Sequence, residues 1–81
     1  MLGKMKEILE TIIKSLVEDE KQVIITEKED EKYHNFEVKV ANQDMGKVIG
    51  KQGRVAKSIR TVMKSIAGKE HKKVNIEFLE D

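Results

Sequence analysis

The chain contains no cysteine, no proline and no tryptophan, and its aromatic residues are limited to Tyr33, Phe36 and Phe78. Without cysteine there is neither a disulfide framework nor a thiolate metal site. With three aromatics there is no platform on which successive bases or rings could stack. No apolar run approaches the roughly 20 residues that a membrane-spanning helix needs. The opening Met1-Leu2-Gly3-Lys4 leads into an amphipathic pattern carrying Glu7 and Glu10, not into the apolar stretch and cleavage site of a signal peptide. Pro- or Gly/Ser-rich linkers and internal repeats are also missing. The expectation is one domain over residues 1–81, in the cytoplasm.

What the chain has in abundance is charge. Of its 81 residues 38% are Asp, Glu, Lys or Arg, against about 25% in an average protein. The hydrophobic share is also 38%, and it falls in periodic segments, which disordered chains lack. The net charge of +1 conceals a strong polarity. Residues 45–73 hold nine bases (Lys47, Lys51, Arg54, Lys57, Arg60, Lys64, Lys69, Lys72, Lys73) and one acid, Glu70, while the rest holds seven bases and fourteen acids. A basic segment of this kind fits a polyanionic partner, although a solvated helix face would carry the same residues.

Periodicity organises the chain into six elements. Leu2, Met5, Leu9, Ile12, Ile13 and Leu16 recur at three- and four-residue steps and predict a helix over 2–17. The β-branched run Val23-Ile24-Ile25-Thr26 predicts a strand over 22–27. A charged turn at 28–32 follows. Phe36, Val38 and Val40 alternate with Glu37 and Lys39, the pattern of a half-buried strand. Asp44 is placed to cap a short helix over 45–49, and a longer helix follows over 54–67, with Val55, Ile59, Val62, Met63 and Ile66 on its apolar face. Gly68 falls where a helix-terminating residue of positive φ is often needed. Val74, Ile76 and Phe78 form a last alternating strand. The order α-β-β-α-α-β buries every apolar face if the helices cover one side of a three-stranded sheet, an α+β two-layer sandwich.

The stretch with chemical content is Gly50-Lys51-Gln52-Gly53, which joins the two short-spaced helices. Two glycines three apart permit a left-handed turn and a close approach of the backbone. The helix that begins after Gly53 offers free N–H groups and a positive dipole end to a phosphate. Lys51 and Arg54 add full charges, and Lys57, three residues after Arg54, and Lys64, seven after Lys57, continue the polar face, with Arg60 on the neighbouring flank. A tight helix–helix turn accounts for the glycine spacing equally well.

Other phosphate motifs fail. Gly46 and Gly50 are one residue too close for a P-loop, and Gln52 supplies no hydroxyl for Mg²⁺. A dinucleotide fingerprint needs glycine where Val48 stands. His34 and His71 have no partner at a zinc-motif spacing. His34 is expected on a strand surface and His71 in a solvated loop. No nucleophile–base pair stands out, so a non-enzyme without metal or small cofactor is expected.

The run Asp44-Met45-Gly46-Lys47-Val48-Ile49-Gly50-Lys51-Gln52-Gly53-Arg54, followed by Ile59-Arg60, resembles the signature of KH domains, whose GXXG loop clamps about four nucleotides. The element order is similar to the type II, bacterial arrangement. In length and motif the chain resembles the small bacterial single-KH proteins of the KhpA family, in which an alanine equivalent to Ala56 is also usual. The resemblance implies a single-stranded RNA-binding protein. Gly50 and Gly53 would admit the sugar-phosphates. Lys51, Gln52 and Arg54, with Lys47 and Lys57 nearby, would hold phosphates, and Val48, Ile49 and Ile59 would line an apolar groove under the bases. It also implies a homodimer or a larger KH-containing partner, and a role as RNA chaperone or post-transcriptional regulator linked to cell elongation or division. The competing reading is a protein-interaction module with a KH-like fold and little affinity for RNA. It calls for exposed side chains among Val55, Ile59, Val62, Met63 and Ile66.

Overall fold

In the computed structural model, which describes residues 4–80, the elements are α1 (Lys4–Leu16), β1 (Ile24–Glu29), β2 (Tyr33–Lys39), α2 (Met45–Ile49), α3 (Arg54–Lys69) and β3 (Lys73–Phe78). Short 3-10 turns lie at Glu20–Gln22, Asn42–Asp44 and Lys51–Gly53. The sheet order is β1-β2-β3, with β1 and β2 antiparallel and β2 and β3 parallel. β2 is therefore central and β3 is an edge. Leu2 of the expected first helix lies outside the described residues.

The predicted alternation decides which face of the sheet is covered. On β2, His34, Phe36 and Val38 are buried while Tyr33, Asn35, Glu37 and Lys39 are only partly so. Ile25 of β1 and Ile76 of β3 are buried on the same side. The helices answer with Met5, Leu9 and Ile13 from α1, Val48 from α2, and Ala56, Ile59, Met63 and Ala67 from α3. Each large apolar side chain so removed from water contributes about 1.5–3 kcal/mol before the entropy of ordering is set against it. The other face of the sheet stays polar, with Asn75 donating to the Asn35 side-chain oxygen at 2.9 Å across paired positions.

Four sequence expectations need correction. The first strand begins at Ile24, not Gln22, because Glu20–Gln22 forms a 3-10 turn. It also runs on to Glu29, since the Asp30 carboxylate accepts from the N–H groups of Lys32 (2.8 Å) and Tyr33 (2.7 Å) and confines the reversal to three residues. Gly68 does not end α3. The helix continues to Lys69 and closes as a Schellman motif, with Lys72 N–H on the Ala67 carbonyl, His71 N–H on Gly68, and His71 itself at φ +60°. Asp44 does not cap α2. Its two carboxylate oxygens accept instead from the N–H groups of Glu18 (3.1 Å) and Asp19 (3.0 Å), just past α1. Finally, His34 is not on the surface. It faces the core side of β2 at 2% exposure.

Candidate nucleic-acid interface

The loop between α2 and α3 has an unusual backbone. Gly50 lies at φ +77°, Gln52 at φ +57° and Gly53 at φ +73°. Three of four consecutive residues thus occupy the positive half of φ space, where a side chain is costly. A Cβ at Gly50 would meet Val55 Cγ2 at 2.5 Å and its backbone N at 2.9 Å, whereas one at Gly53 would meet nothing within 4 Å. Gly50 is therefore required twice, by conformation and by space. Gly53 is required by conformation alone.

Two bonds fix the loop from within: Gly50 N–H to the Gly46 carbonyl (2.9 Å) and Gly53 N–H to the Gly50 carbonyl (3.1 Å). Lys51 and Gln52 are exposed at its tip, and Arg54 Nη2 donates to the Gln52 side-chain oxygen at 3.4 Å. No side chain caps the amino end of α3 among the described residues. Its first-turn N–H groups and positive dipole end therefore open beside Lys51 and Arg54, an arrangement suited to an anion.

Beginning at Lys57, one turn past the loop, an open groove of about 910 Å³ runs between α3 and β3. Lys57, Arg60 and Lys64 line one side, Lys72 and Lys73 stand at its far end, and Val74 and Ile76 help to form its floor. Lys73 and Leu79 donate their N–H groups to carbonyls of Lys32 and Val38. By alternation the backbone groups of Val74, Ile76 and Phe78 turn to the free edge of β3. Arg60 already uses that edge: its Nε donates to the Ile76 carbonyl at 3.2 Å and its guanidinium lies 5.4 Å from the Phe78 ring centroid. The groove thus combines fixed positive charge with outward-turned backbone donors and acceptors of an edge strand.

The expected site residues divide into two groups. Gly50, Lys51, Gln52, Gly53 and Arg54 come together at the loop, and Lys57 leads from it into the groove. Lys47, Val48 and Ile59 lie apart from it. Lys47 pairs with Glu18 at 2.7 Å and Asp44 at 3.5 Å, and its ammonium is held above the usual lysine range, chiefly by the Glu18 bond. Val48 is fully buried and Ile59 nearly so. Ile59 borders a different, apolar furrow between α1 and α3, together with Ile12, Leu16, Arg54, Val55 and Val62. Ile49 is half-buried. Sequence reasoning put Arg60 on a neighbouring flank, but Lys57, Arg60 and Lys64 share one stripe. Their spacing of i, i+3 and i+7 carried that signal. Lys72 and Lys73 join them only because β3 docks beside α3, which no local pattern announces.

This geometry agrees with the comparisons. The sequence model of the KhpA/KhpB KH domain matches residues 6–78. The chain belongs to that family. It is 55% identical to the RNA-binding protein KhpA of Clostridium acetobutylicum over 75 residues, which is 93% of this chain and all of the relative. It is 41% identical to the RNA-binding protein KhpA of Listeria monocytogenes over 94% of the chain and all of the relative. With the protein of the same name from Aquifex aeolicus the figure is 42% over 98% of the chain and all of the relative. No solved structure gave a significant match. The names of these family members are those of a binding protein and specify no catalysed reaction, in agreement with the expectation of a non-enzyme. No helix among the described residues is long and apolar enough to cross a membrane.

Proposed function

We propose that this chain binds single-stranded RNA, seating the sugar-phosphate backbone on Gly50-Lys51-Gln52-Gly53 and the amino end of α3, and laying the bases along the groove between α3 and β3. The observation that carries this reading is the loop of three positive-φ residues at the amino end of α3, with a groove carrying five bases farther along the same helix. The relatives' names, which specify RNA, choose the ligand. Lys51, Gln52 and Arg54 contact phosphates, and Lys57, Arg60 and Lys64 continue the track. Lys47, Val48 and Ile59 act from behind, holding α2 and α3 in place. The free edge of β3 supplies backbone groups for base edges, which suits a site with few aromatics. In the cell such binding would serve post-transcriptional control or RNA chaperoning, as the family resemblance implies.

The test is titration of a labelled short single-stranded RNA at two salt concentrations, beside a Lys51→Asp/Gln52→Asp double variant. Both glycines remain, and aspartate tolerates the left-handed conformation of position 52 better than most residues, so circular dichroism should report an unchanged fold. Three or four engaged phosphates predict a slope of log affinity on log salt of roughly −2 to −3, at about 0.7 per phosphate. Loss of binding in the folded variant supports the loop as the clamp. Equal binding by both proteins would place the site elsewhere.

A second reading, self-association or docking of a KH-containing partner, has its own support. The furrow between α1 and α3 exposes Leu16 at 36% and Val62 at 49%, with Val55 half-buried between them. These are among the side chains that an interaction module calls for. The furrow lies on the opposite flank of α3 from the basic groove, so both surfaces can be used together. Sedimentation of wild type against Val62→Asp separates the two roles.

A further inference from the structure

The buried His34 stands among three glutamates. Its Nδ1 is 3.3 Å from Glu27 Oε2, and its Nε2 is 3.5 Å from both Glu29 Oε2 and Glu70 Oε1. The imidazole side chain is only 3% exposed, and Nε2 is buried with no hydrogen-bond partner among the described residues. Strand pairing and the fold of α3 build this cluster. Glu29 is the cross-strand partner of His34, Glu27 lies two residues along the same face of β1, and Glu70 follows the last turn of α3.

With a neutral ring the cluster is incomplete. A neutral imidazole carries one N–H and one lone pair. If Nδ1 donates to Glu27, the Nε2 lone pair faces the oxygens of Glu29 and Glu70. If Nε2 carries the proton, the Nδ1 lone pair faces Glu27. Either tautomer turns a lone pair on a carboxylate inside the protein, where such opposition is costly. The described residues of the cluster bring three carboxylates and one ammonium, that of Lys72 on Glu29, so a neutral ring leaves two negative charges uncompensated and a doubly protonated one leaves one.

We propose that this cluster is a binding site for a divalent cation of the zinc type, with His34 Nε2, Glu29 and Glu70 as its protein ligands. Glu27 is the positioning residue: by accepting from Nδ1–H it fixes the tautomer that presents Nε2 to the ion, the usual carboxylate–histidine–metal arrangement. The dimensions fit. Tetrahedral zinc with bonds of about 2.0–2.1 Å places neighbouring donors about 3.3 Å apart, close to the 3.5 Å found from Nε2 to each carboxylate oxygen. Among the described residues Glu27, Glu29 and His34 offer ligand atoms within 4.8 Å of one another, a group that does not include Glu70 as it stands. Glu70, with its side chain 38% exposed, rotates inward to complete the set and leaves an outer position for water. Lys72 gives up Glu29 to the ion. Its ammonium already has a second acceptor in the Asp30 carbonyl at 3.3 Å, and the same side chain borders the groove between α3 and β3.

The experiment needs no RNA. Zinc ions are titrated into the metal-free full chain while the ring nitrogens of His34 and His71 are followed by ¹⁵N-edited NMR, and the affinity is measured by calorimetry. The expected result is one ion per chain, a saturable shift of His34 Nε2 with His71 unmoved, and an affinity at least tenfold weaker in Glu70→Gln and in Glu29→Gln. His71→Asn should bind as wild type. Glu70 is exposed enough that its glutamine variant should fold. Three outcomes would overturn the proposal: a His34 ring that ignores zinc up to millimolar concentration, equal affinity in wild type and both glutamine variants, or a His34 that holds both protons at neutral pH and excludes zinc, a proton then taking the ion's place.

Discussion

Asp44 and His34 are the two buried polar side chains of the described residues, and they are satisfied in opposite ways. Asp44 stands at the entrance to α2. Both its oxygens accept backbone N–H groups from the end of α1, and the Lys47 ammonium approaches from the surface. Nothing is left over, so the group acts as a rivet between α1 and the segment that leads to the loop. His34 has acidic neighbours on both nitrogens and one nitrogen without a bond. A buried polar group that closes its own bonds belongs to the architecture. One that cannot close them calls for something from outside. The comparison separates a structural carboxylate from a cation site in a chain where charged residues are everywhere.

The strongest way to break the comparison is Asp44→Ala. Two backbone donors lose their acceptor in the interior, and Tm should fall on the order of 15 °C, read by thermal circular dichroism. Asp44→Asn probes the charge itself. The Glu18 and Asp19 N–H groups, in that order, hold the Asp44 carboxyl below its ordinary 3.8 against the opposing effect of burial. A carboxyl whose folded value is depressed adds stability that is fully present above the unfolded value and is lost as pH falls through the folded one. The Tm gap between wild type and Asp44→Asn should therefore be widest near neutral pH and close below pH 3.8. A gap that does not change with pH would mean that the charge contributes nothing.

The rivet serves the loop, and the two glycines there grade the next effect. Gly50→Ala combines a positive φ with a collision against Val55, including its backbone N, and should lower Tm on the order of 10 °C. Gly53→Ala meets open space at φ +73° and bears the conformational cost alone, about 5 °C by the same conversion. Equal losses would show that Val55 yields easily and that space at Gly50 is not limiting. RNA affinity measured on the two folded variants would then tell whether the close approach of backbone to ligand depends on both positions.

The sequence disclosed the loop and most of the architecture because both rest on local signals. Apolar spacing marked the helices and strands to within two or three residues, and the glycines marked the turn. What it concealed depends on chain reversal and sheet register. Asp44 precedes a helix and reads as its cap, but the return of the chain after α1 offers it two better donors. Gly68 reads as a helix end, but His71 takes the left-handed position two residues past the helix. His34 has no partner at a motif spacing, because its glutamates come from the facing strand and from a residue 36 positions later. Lys72 and Lys73 could be placed in the basic groove only once β3 was docked in parallel beside β2.

Glu70→Gln carries the smallest expected effect on stability and sharpens the comparison most. As a partly exposed side chain following the last turn of α3, Glu70 should change Tm by no more than about 3 °C when its charge is removed. The same substitution should weaken zinc binding at least tenfold. Stability and ligand affinity would then part company at His34, while at Asp44 the loss falls on stability. A large loss of Tm in metal-free Glu70→Gln would instead make Glu70 a structural partner of a charged His34. The cluster would then be a second rivet, differing from the first only in taking its last proton from solvent.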